Sequence, residues 1–182
     1  MNAESSAGRV LPPPVLAAPV YLLSSMEHEI IRIPSVGQTG REQLRHQCYN
    51  VRLDVFYREQ GFPVETEIDE LCLFHFSGFL LISAPSLRRL DEIAEHFLLR
   101  LLPSLRPIGT IRASRTSTGV PSTDYYKLSR LAVLKDYRQL HFGRELVFAL
   151  HSWVTTDALS RGETSAKVVS HSQIPAKPFY VK

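Results

Sequence analysis

The chain has few cysteines, little excess charge and no long apolar run, and each shortage excludes a class of protein. Its two cysteines, Cys48 and Cys72, cannot form a disulfide framework and lack the spacing of metal ligands. The net charge of +3 is too small to indicate nucleic-acid binding by itself. The longest apolar run, 71–82, has twelve residues interrupted by polar ones, whereas a membrane-spanning helix needs about 18. We expect an intracellular protein without a metal, located in the cytoplasm or, alternatively, in the nucleus.

What the sequence does contain fits one globular domain. The chain has 182 residues, of which 44% are apolar and 21% charged, so it can bury a core and is neither disordered nor collagen-like. Residues 1–20 are rich in proline, alanine and serine and are predicted to form a flexible extension. Prolines interrupt the apolar stretch of this extension, so the sequence does not indicate a signal peptide. We predict a single domain over 21–182.

Charge is distributed unevenly along the chain. Between Arg100 and Arg144 lie nine basic residues and only two acids, whereas 59–70 holds five acids and no base. A basic half beside an acidic segment could hold an anionic cofactor on one side and admit a cationic substrate on the other. The alternative interpretation is that both stretches are solvated faces and loops.

Hydrophobic spacing predicts a mixed domain of helices and strands. A helix is expected over 39–60, terminated by Gly61 and Pro63. The other predicted elements are strands at 107–113, 125–134 and 166–169, a helix beginning near Phe142, and a helical segment over 175–180. The order helix, strand, strand, helix, strand, helix indicates an α/β or α+β domain.

The predicted strand at 125–134 has two apolar faces. Alternation places four residues on one face: Tyr126, Leu128, Ala132 and Leu134. Leu131 and Val133 are predicted to point to the opposite face. A strand buried on both faces is typical of the centre of a sheet flanked by helices. The helix that follows has an apolar stripe formed by Phe142, Leu146, Leu150, Trp153 and Val154.

The junction between this strand and this helix, 135–144, has the features of an anion site. A tight turn at a helix N-terminus presents unpaired backbone N–H groups beside the positive end of the helix dipole. Arg138 and Arg144 add fixed positive charge, and Gly143 would allow a close approach of the backbone. The alternative is an ordinary connection with two surface arginines.

Three segments of the chain carry a recognisable pattern. Residues 128–146, LSRLAVLKDYRQLHFGREL, resemble motif A of the GCN5-related N-acetyltransferases (the GNAT family), a strand that runs through an R/Q-x-x-G-x-G/A turn into a helix. Residues 51–63 are similar to the R-x-x-V-F-x-x-E-Q-x-x-P segment of the small ElaA-like branch of bacteria and fungi. Residues 173–180 are similar to the Q-x-x-A-x-x-F-Y segment of that branch. The segments follow the family's order, so the chain is identified as a GNAT member, of fungal-like eukaryotic origin.

The resemblance implies a mixed sheet flanked by helices and acetyl-CoA as cosubstrate. Family members pair the pantetheine arm with a strand edge, which here would be the backbone of Leu131, Ala132 and Val133. The pyrophosphate turn would comprise seven residues: Arg138, Gln139, Leu140, His141, Phe142, Gly143 and Arg144. The chemistry would be direct attack of an amine on the thioester, without a covalent enzyme intermediate. Tyr180 would hydrogen-bond or protonate the departing thiolate, with a packing tyrosine as the alternative.

The chain departs from the family pattern inside the turn. His141 stands where the family has its first glycine. Glycine is favoured there because a Cβ would crowd the phosphate or forbid the backbone angle. Histidine could instead donate a hydrogen bond to the phosphate, or weaken its binding. The other six histidines are expected to be structural or to lie on the surface.

Two further departures concern the length of the chain. Residues 71–89 have no counterpart in the family pattern, so we interpret them as an insert, either a retained intron or a genuine elaboration of the loop. The family also continues beyond the position of Tyr180 with further strands, which are missing here. A fragment, a sheet closed by a second chain in a homodimer, and an inactive protein are the three interpretations.

Two functions remain open at this stage. The first is an N-acetyltransferase acting on a small-molecule or peptide amine, with Glu67 as a candidate base by position. The second is a catalytically impaired module that binds acetyl-CoA. Nucleic acid and membrane are not expected partners, because groove-reading motifs and interleaved exposed aromatic residues are lacking.

Overall fold

The computed structural model of the protein describes residues 26–64, 91–117, 124–172 and 176–180. The predicted extension at 1–20 and the predicted insert at 71–89 lie outside these ranges. In chain order the elements are β1 His28–Arg32, α1 Arg41–Arg52, β2 Glu95–Leu101, β3 Arg106–Thr116, β4 Tyr125–Val133, α2 Phe142–Ser160, β5 Val168–Ser170 and α3 Lys177–Tyr180. A π-helical stretch over 53–59 continues α1, and 135–137 form a 3-10 turn.

The strands form one sheet in the order β1-β2-β3-β4-β5. The first four strands are antiparallel to their neighbours, and β5 runs parallel to β4. A parallel neighbour requires a crossover connection, which α2 supplies. The predicted α/β (α+β) class, a mixed sheet flanked by helices, is therefore confirmed.

The first helix lies close to its predicted bounds. Three of its side chains, Cys48, Val51 and Val55, are almost completely buried, in agreement with the helical spacing of the sequence. Gly61 has a φ of 73°, a left-handed conformation that glycine adopts without strain, and it lies just beyond the last helical residue. The predicted stop is confirmed.

Strands β1 and β2 were not predicted from the sequence. Residues 28–32 are short and half-buried, so their alternation is weak. In β2, 97–99 are all buried because helices cover both faces, and such a run has no period of two. The apolar run over 97–99 is the signal that could have indicated β2.

A bulge in β4 corrects the predicted assignment of its faces. Thr110 pairs with Ala132 and Arg112 pairs with Ser129, so two steps along β3 match three steps along β4. The extra residue takes up a left-handed conformation at Arg130, whose φ is 56°. The prediction that Ala132 shares a face with the residues before the bulge is wrong, because one inserted residue reverses the alternation.

The two faces of β4 therefore contribute to different parts of the core. Tyr126 and Leu128 pack with the buried side chains of α2, and Leu131 and Val133 pack against the same cluster. Ala132 packs instead against Val51 and Val55 of the first helix. The predicted stripe of α2 is confirmed, with four of its members buried and Trp153 partly so.

A buried ionic cluster lies between the first helix and the sheet. The carboxylate of Asp91, itself 1% exposed, accepts hydrogen bonds from Tyr49 at 2.7 Å, from Arg52 at 3.1 Å and from Arg112. Burial alone would raise the pKa of Asp91, but the two guanidinium charges outweigh it and hold that pKa well below its usual range. The Nε2–H of His96 donates to the Asp91 carbonyl at 2.9 Å, and burial lowers the pKa of His96 to about 4. We call these residues the Asp91 cluster.

Candidate active site

A cavity of about 590 Å³ opens where β4 passes into α2. We call it the turn cavity. Its lining residues are Leu131, Val133, Tyr137, Arg138, Gln139, His141, Phe142, Gly143, Arg144, Ala176, Phe179 and Tyr180. Eight of the ten residues expected to hold the cofactor are among them, whereas Ala132 and Leu140 are not.

The edge of β4 that faces this cavity carries backbone groups available for pairing. In the sheet, β5 pairs with β4 only over 126–128. Further along, the N–H of Leu134 donates to the carbonyl of Ile108 in β3 at 2.9 Å. Because peptide groups alternate in direction along a strand, those of Leu131 and Val133 point away from β3. The carbonyl of Val133 already accepts the Nε–H of Arg138 at 2.9 Å, which leaves its N–H and the groups of Leu131 for pairing. An extended ligand could pair with them as another strand would.

The turn at 139–143 gathers a set of backbone donors. Gln139 and His141 both have left-handed φ angles, 70° and 63°. Across the described part of the chain, the N–H groups of 139–143 donate to no backbone carbonyl, whereas the N–H of Arg144 already bonds His141 at 2.8 Å. Successive N–H groups in such turns form a concave anion site, and here they lie at the positive end of α2.

A second cavity of about 340 Å³ lies on the other side of α3. It is lined by Phe56, Gln60, Phe62, Leu128, Ser129, Arg130, Leu131, Ser170, His171, Ser172, Ala176 and Tyr180. Its walls come from the segment after α1, from the bulge of β4 and from the residues that follow β5. Leu131, Ala176 and Tyr180 line both cavities.

Tyr180 stands at the boundary between the two cavities. It is 36% exposed, and its ring packs edge to face against Phe179 with the ring centroids 4.9 Å apart. Burial raises the pKa of Tyr180, and a hydrogen bond with the side chain of Ser170 offsets part of that rise. The phenol is therefore protonated at neutral pH and can donate a hydrogen bond or a proton.

Solved structures with this fold are acetyltransferases. An N-acetyltransferase from Lactobacillus plantarum superposes with a TM-score of 0.55 at 24% identity, covering 85% of this chain and 82% of that one. A GCN5-related N-acetyltransferase from Ralstonia eutropha gives a TM-score of 0.52 at 18% identity, covering 85% and 89%. The superpositions establish a common fold, and identities this low establish nothing further.

Sequence relatives decide the family. The chain is 31% identical to the N-acetyltransferase YjcF of Bacillus subtilis (strain 168) over 143 residues, 79% of this chain and 78% of YjcF. A second acetyltransferase of that bacterium is 29% identical over 149 residues, 81% of this chain and 80% of its own length. The chain belongs to the GCN5-related N-acetyltransferase family. No model of a known protein family matches it.

The structure explains why the GNAT pattern has glycine at the position of His141. The φ of His141 is 63°, in the left-handed region that glycine adopts freely and other residues adopt at a cost. The backbone angle, one of the two expected reasons, therefore applies to this fold. The side chain of His141 is exposed at the rim of the turn cavity.

The second glycine of the GNAT turn, Gly143, connects the turn to α3. A Cβ at Gly143 would lie 3.4 Å from the ring of Phe179, an ordinary contact distance. A small side chain would therefore fit, and α3 packs on the start of α2 through Phe179. This packing brings Tyr180 next to the backbone donors.

Four of the nine basic residues from Arg100 to Arg144 form ion pairs with acids in the described structure. Arg100 bonds Glu29. The other pairs join Arg112 to Asp91, Arg115 to Asp124 and Glu163, and Arg138 to Glu59. By contrast, Arg144 is exposed at the first turn of α2, and its guanidinium lies 6.0 Å from the ring centroid of Phe148. Arg144 therefore brings a positive charge to the turn cavity, and among the described residues no acid is paired with it.

Sequence reasoning missed several residues of the second cavity. His171 was expected to be structural or to lie on the surface, yet it follows β5 directly and lines this cavity together with Ser170. Phe56 and Phe62 were known only as part of a motif, and the N–H of Phe62 donates to the carbonyl of Phe56 at 2.9 Å. The candidate base Glu67 lies outside the described residues.

The described ranges hold neither a cluster of metal ligands nor a helix that could span a membrane. Within them, no three residues among histidine, cysteine, aspartate and glutamate lie close enough together to bind a metal ion. None of the helices in the same ranges combines the length and the hydropathy needed to cross a bilayer. Cys48 is a buried free thiol, and burial raises its pKa to about 11.

Proposed function

We propose that the protein transfers an acetyl group from acetyl-CoA to a primary amine by direct attack, without a covalent enzyme intermediate. One observation carries this proposal: Tyr180, a protonated phenol, lines both the turn cavity and the second cavity. A group transfer between two bound molecules needs such a donor at the point where they meet. The aminoglycoside N-acetyltransferase AAC(6')-Iy, solved in complex with CoA, has the same fold, with a TM-score of 0.53 at 13% identity over 85% of this chain and 83% of that one.

The turn cavity is assigned to acetyl-CoA. The N–H groups of 139–143 would bind the pyrophosphate, assisted by the charge of Arg144. The backbone of Leu131 and Val133 would pair with the amides of the pantetheine arm. These contacts hold the thioester in place without contributing a reacting group.

The second cavity is assigned to the amine. An alkylammonium ion must lose a proton before its nitrogen can attack the thioester carbon. Among the described lining residues, His171 carries the imidazole that can accept this proton. The carbon–sulfur bond then breaks, the thiolate takes the phenolic proton of Tyr180, and the new amide nitrogen loses its second proton, which restores the phenol. One proton is released for each acetyl group transferred.

The proposal also includes finer assignments that were expected from the sequence. The acceptor is a small-molecule or peptide amine, and the protein works in the cytoplasm, alone or as a homodimer, within the ElaA-like branch of the family. A catalytically impaired acetyl-CoA-binding module is the second candidate function. The strained histidine at position 141, where the family has glycine, favours it.

A thiol-release assay with acetyl-CoA and a panel of amines tests the proposal. We expect release with at least one amine, and we expect Tyr180→Phe to lower kcat about 100-fold while CoA affinity is unchanged. Tyr57→Phe is the matched control, because Tyr57 is an exposed tyrosine outside both cavities. CoA binding without release would indicate the module, and absence of both would contradict either function.

A further inference from the structure

The guanidinium group of Arg138 donates three hydrogen bonds to other parts of the protein. Its Nη1 and Nη2 donate to Oε1 and Oε2 of Glu59 at 2.6 and 2.7 Å, which is a two-pronged pair. Its Nε donates to the carbonyl of Val133 at 2.9 Å. Three of its five N–H groups are therefore directed at the protein, and its charge is offset by a carboxylate.

The partner of Arg138 comes from the opposite side of the site. Glu59 is the last residue of the π-helical stretch that continues α1. The hydrogen bond from Arg138 is the main cause that lowers the pKa of Glu59, so the carboxylate is charged at neutral pH. Phe56, Gln60 and Phe62, which flank Glu59, line the second cavity. The pair therefore joins the wall of the amine cavity to the turn that binds the cofactor.

We propose that Arg138 and Glu59 are positioning residues, which fix the cofactor turn against the wall of the amine cavity, and that Arg138 does not itself bind the phosphates. This inference rests on the proposed function. The bond to Val133 holds the start of the turn against the end of β4, and the two bonds to Glu59 hold it against the first helix. The turn donors at 139–143 are then fixed before the cofactor arrives, which reduces the entropy lost on binding.

The two roles of Arg138 predict opposite effects of removing its partner. If Arg138 positions the turn, Glu59→Gln loosens the turn and weakens CoA binding. If Arg138 binds phosphate, Glu59→Gln frees its charge, and CoA binding is unchanged or stronger. Calorimetric titration of the full chain with CoA separates the two. The variants are Glu59→Gln, Arg138→Gln and the double variant, and all of them change partly exposed side chains.

We expect each single variant to weaken CoA binding about five-fold, and the double variant to be no weaker than either single one. Arg138→Lys is the conservative test, because lysine keeps the charge but cannot form the fork or reach Val133 at the same time. It should behave like Arg138→Gln. Asp54→Asn is the matched control, since Asp54 pairs with Arg58 on the same stretch and the pair does not contact the turn. Its CoA affinity should equal that of the wild type.

Three results would overturn this inference: unchanged or tighter CoA binding in Glu59→Gln, full rescue by Arg138→Lys, or additive losses in the double variant. S-acetylpantetheine, which lacks the pyrophosphate, serves as a second probe. A wild-type chain that binds no CoA at all would instead contradict the proposed function, so the two failures are distinguishable.

Discussion

The Asp91 cluster and the cofactor turn use similar polar groups in opposite ways. In the cluster, the carboxylate of Asp91 accepts hydrogen bonds from a phenol and from two guanidinium groups, all of them buried. In the turn, the N–H groups of 139–143 have no backbone carbonyl partner among the described residues, and four of these five residues line the turn cavity. The cluster is satisfied from within, and the turn requires a partner from outside.

The difference separates residues that stabilise the fold from residues that are able to bind a ligand. A buried charge without its partners would destabilise the protein, so every partner in the cluster is structural. Backbone donors that reach water lose little without a partner and gain from an anion. Substitutions in the cluster should therefore change the free energy of unfolding, whereas substitutions in the turn should change the affinity for CoA.

The largest expected effect is the loss of the charge at the centre of the cluster. Asp91→Asn removes the buried carboxylate that Arg52 and Arg112 share and should lower the free energy of unfolding by about 3–5 kcal/mol. Urea denaturation followed by circular dichroism measures it. In the exposed pair of Asp54 and Arg58, Asp54→Asn should cost less than about 1 kcal/mol. Equal costs at the two sites would contradict the distinction between cluster and surface.

Acid should destabilise the cluster through His96. Its pKa is lowered by burial to about 4, whereas an unfolded histidine titrates near 6.5, so the unfolded state binds more protons between these values. Stability should fall as the pH drops from about 6.5 to 4, by about 3 kcal/mol in total. Urea midpoints across this range measure the slope. His96→Gln should flatten it, and an unchanged slope would show that other groups cause the acid sensitivity.

A smaller effect is expected inside the turn, with the opposite sign. His141→Gly removes the cost of a left-handed histidine and should stabilise the protein by roughly 1 kcal/mol, with CoA affinity kept or improved. His151→Gly is the matched control, because His151 is exposed in the middle of α2 and should lose about 1 kcal/mol there. Thermal melts and CoA titrations measure both. Weaker CoA binding in His141→Gly would indicate that the imidazole contacts the cofactor.

The smallest effect concerns the pair formed by His28 and Glu145 behind the turn, joined at 2.6 Å. Burial lowers the pKa of His28, but the carbonyl of Met26 and the carboxylate of Glu145 outweigh it, and the pKa is raised above 6.5. The pair therefore stabilises the folded protein fully below pH 6.5, and this stabilisation is lost as the pH rises through the raised pKa of His28. Glu145→Gln should return the His28 titration, followed by NMR, towards 6.5. An unchanged pKa of His28 would mean that the hydrogen bond with the Met26 carbonyl alone raises it.

The sequence predicted the elements whose patterns are local. The spacing of Cys48, Val51 and Val55 indicated the first helix, and the apolar stripe of α2 indicated the second. Strand β2 was missed because burial on both faces removes the alternation that indicates a strand. The bulge at Arg130 was missed because one extra residue leaves no signal in an apolar pattern, although it determines which side chains of β4 face the cavity.

The candidate site was predictable in part for similar reasons. The turn is a continuous motif, so its residues could be named from the chain alone. Glu59 and Phe62 come from one stretch and His171 from another, and only the fold brings them near the turn and Tyr180. Pairing between distant residues, such as Glu59 with Arg138, has no signature in a single sequence.

The most direct test of the central claim is a two-dimensional ¹⁵N–¹H NMR titration of the protein with CoA. The account predicts that the largest changes in amide proton shift belong to 139–143, because these N–H groups take up the pyrophosphate. Smaller changes should occur at Leu131 and Val133. Largest shifts in the second cavity, with the amides of 139–143 unmoved, would contradict it.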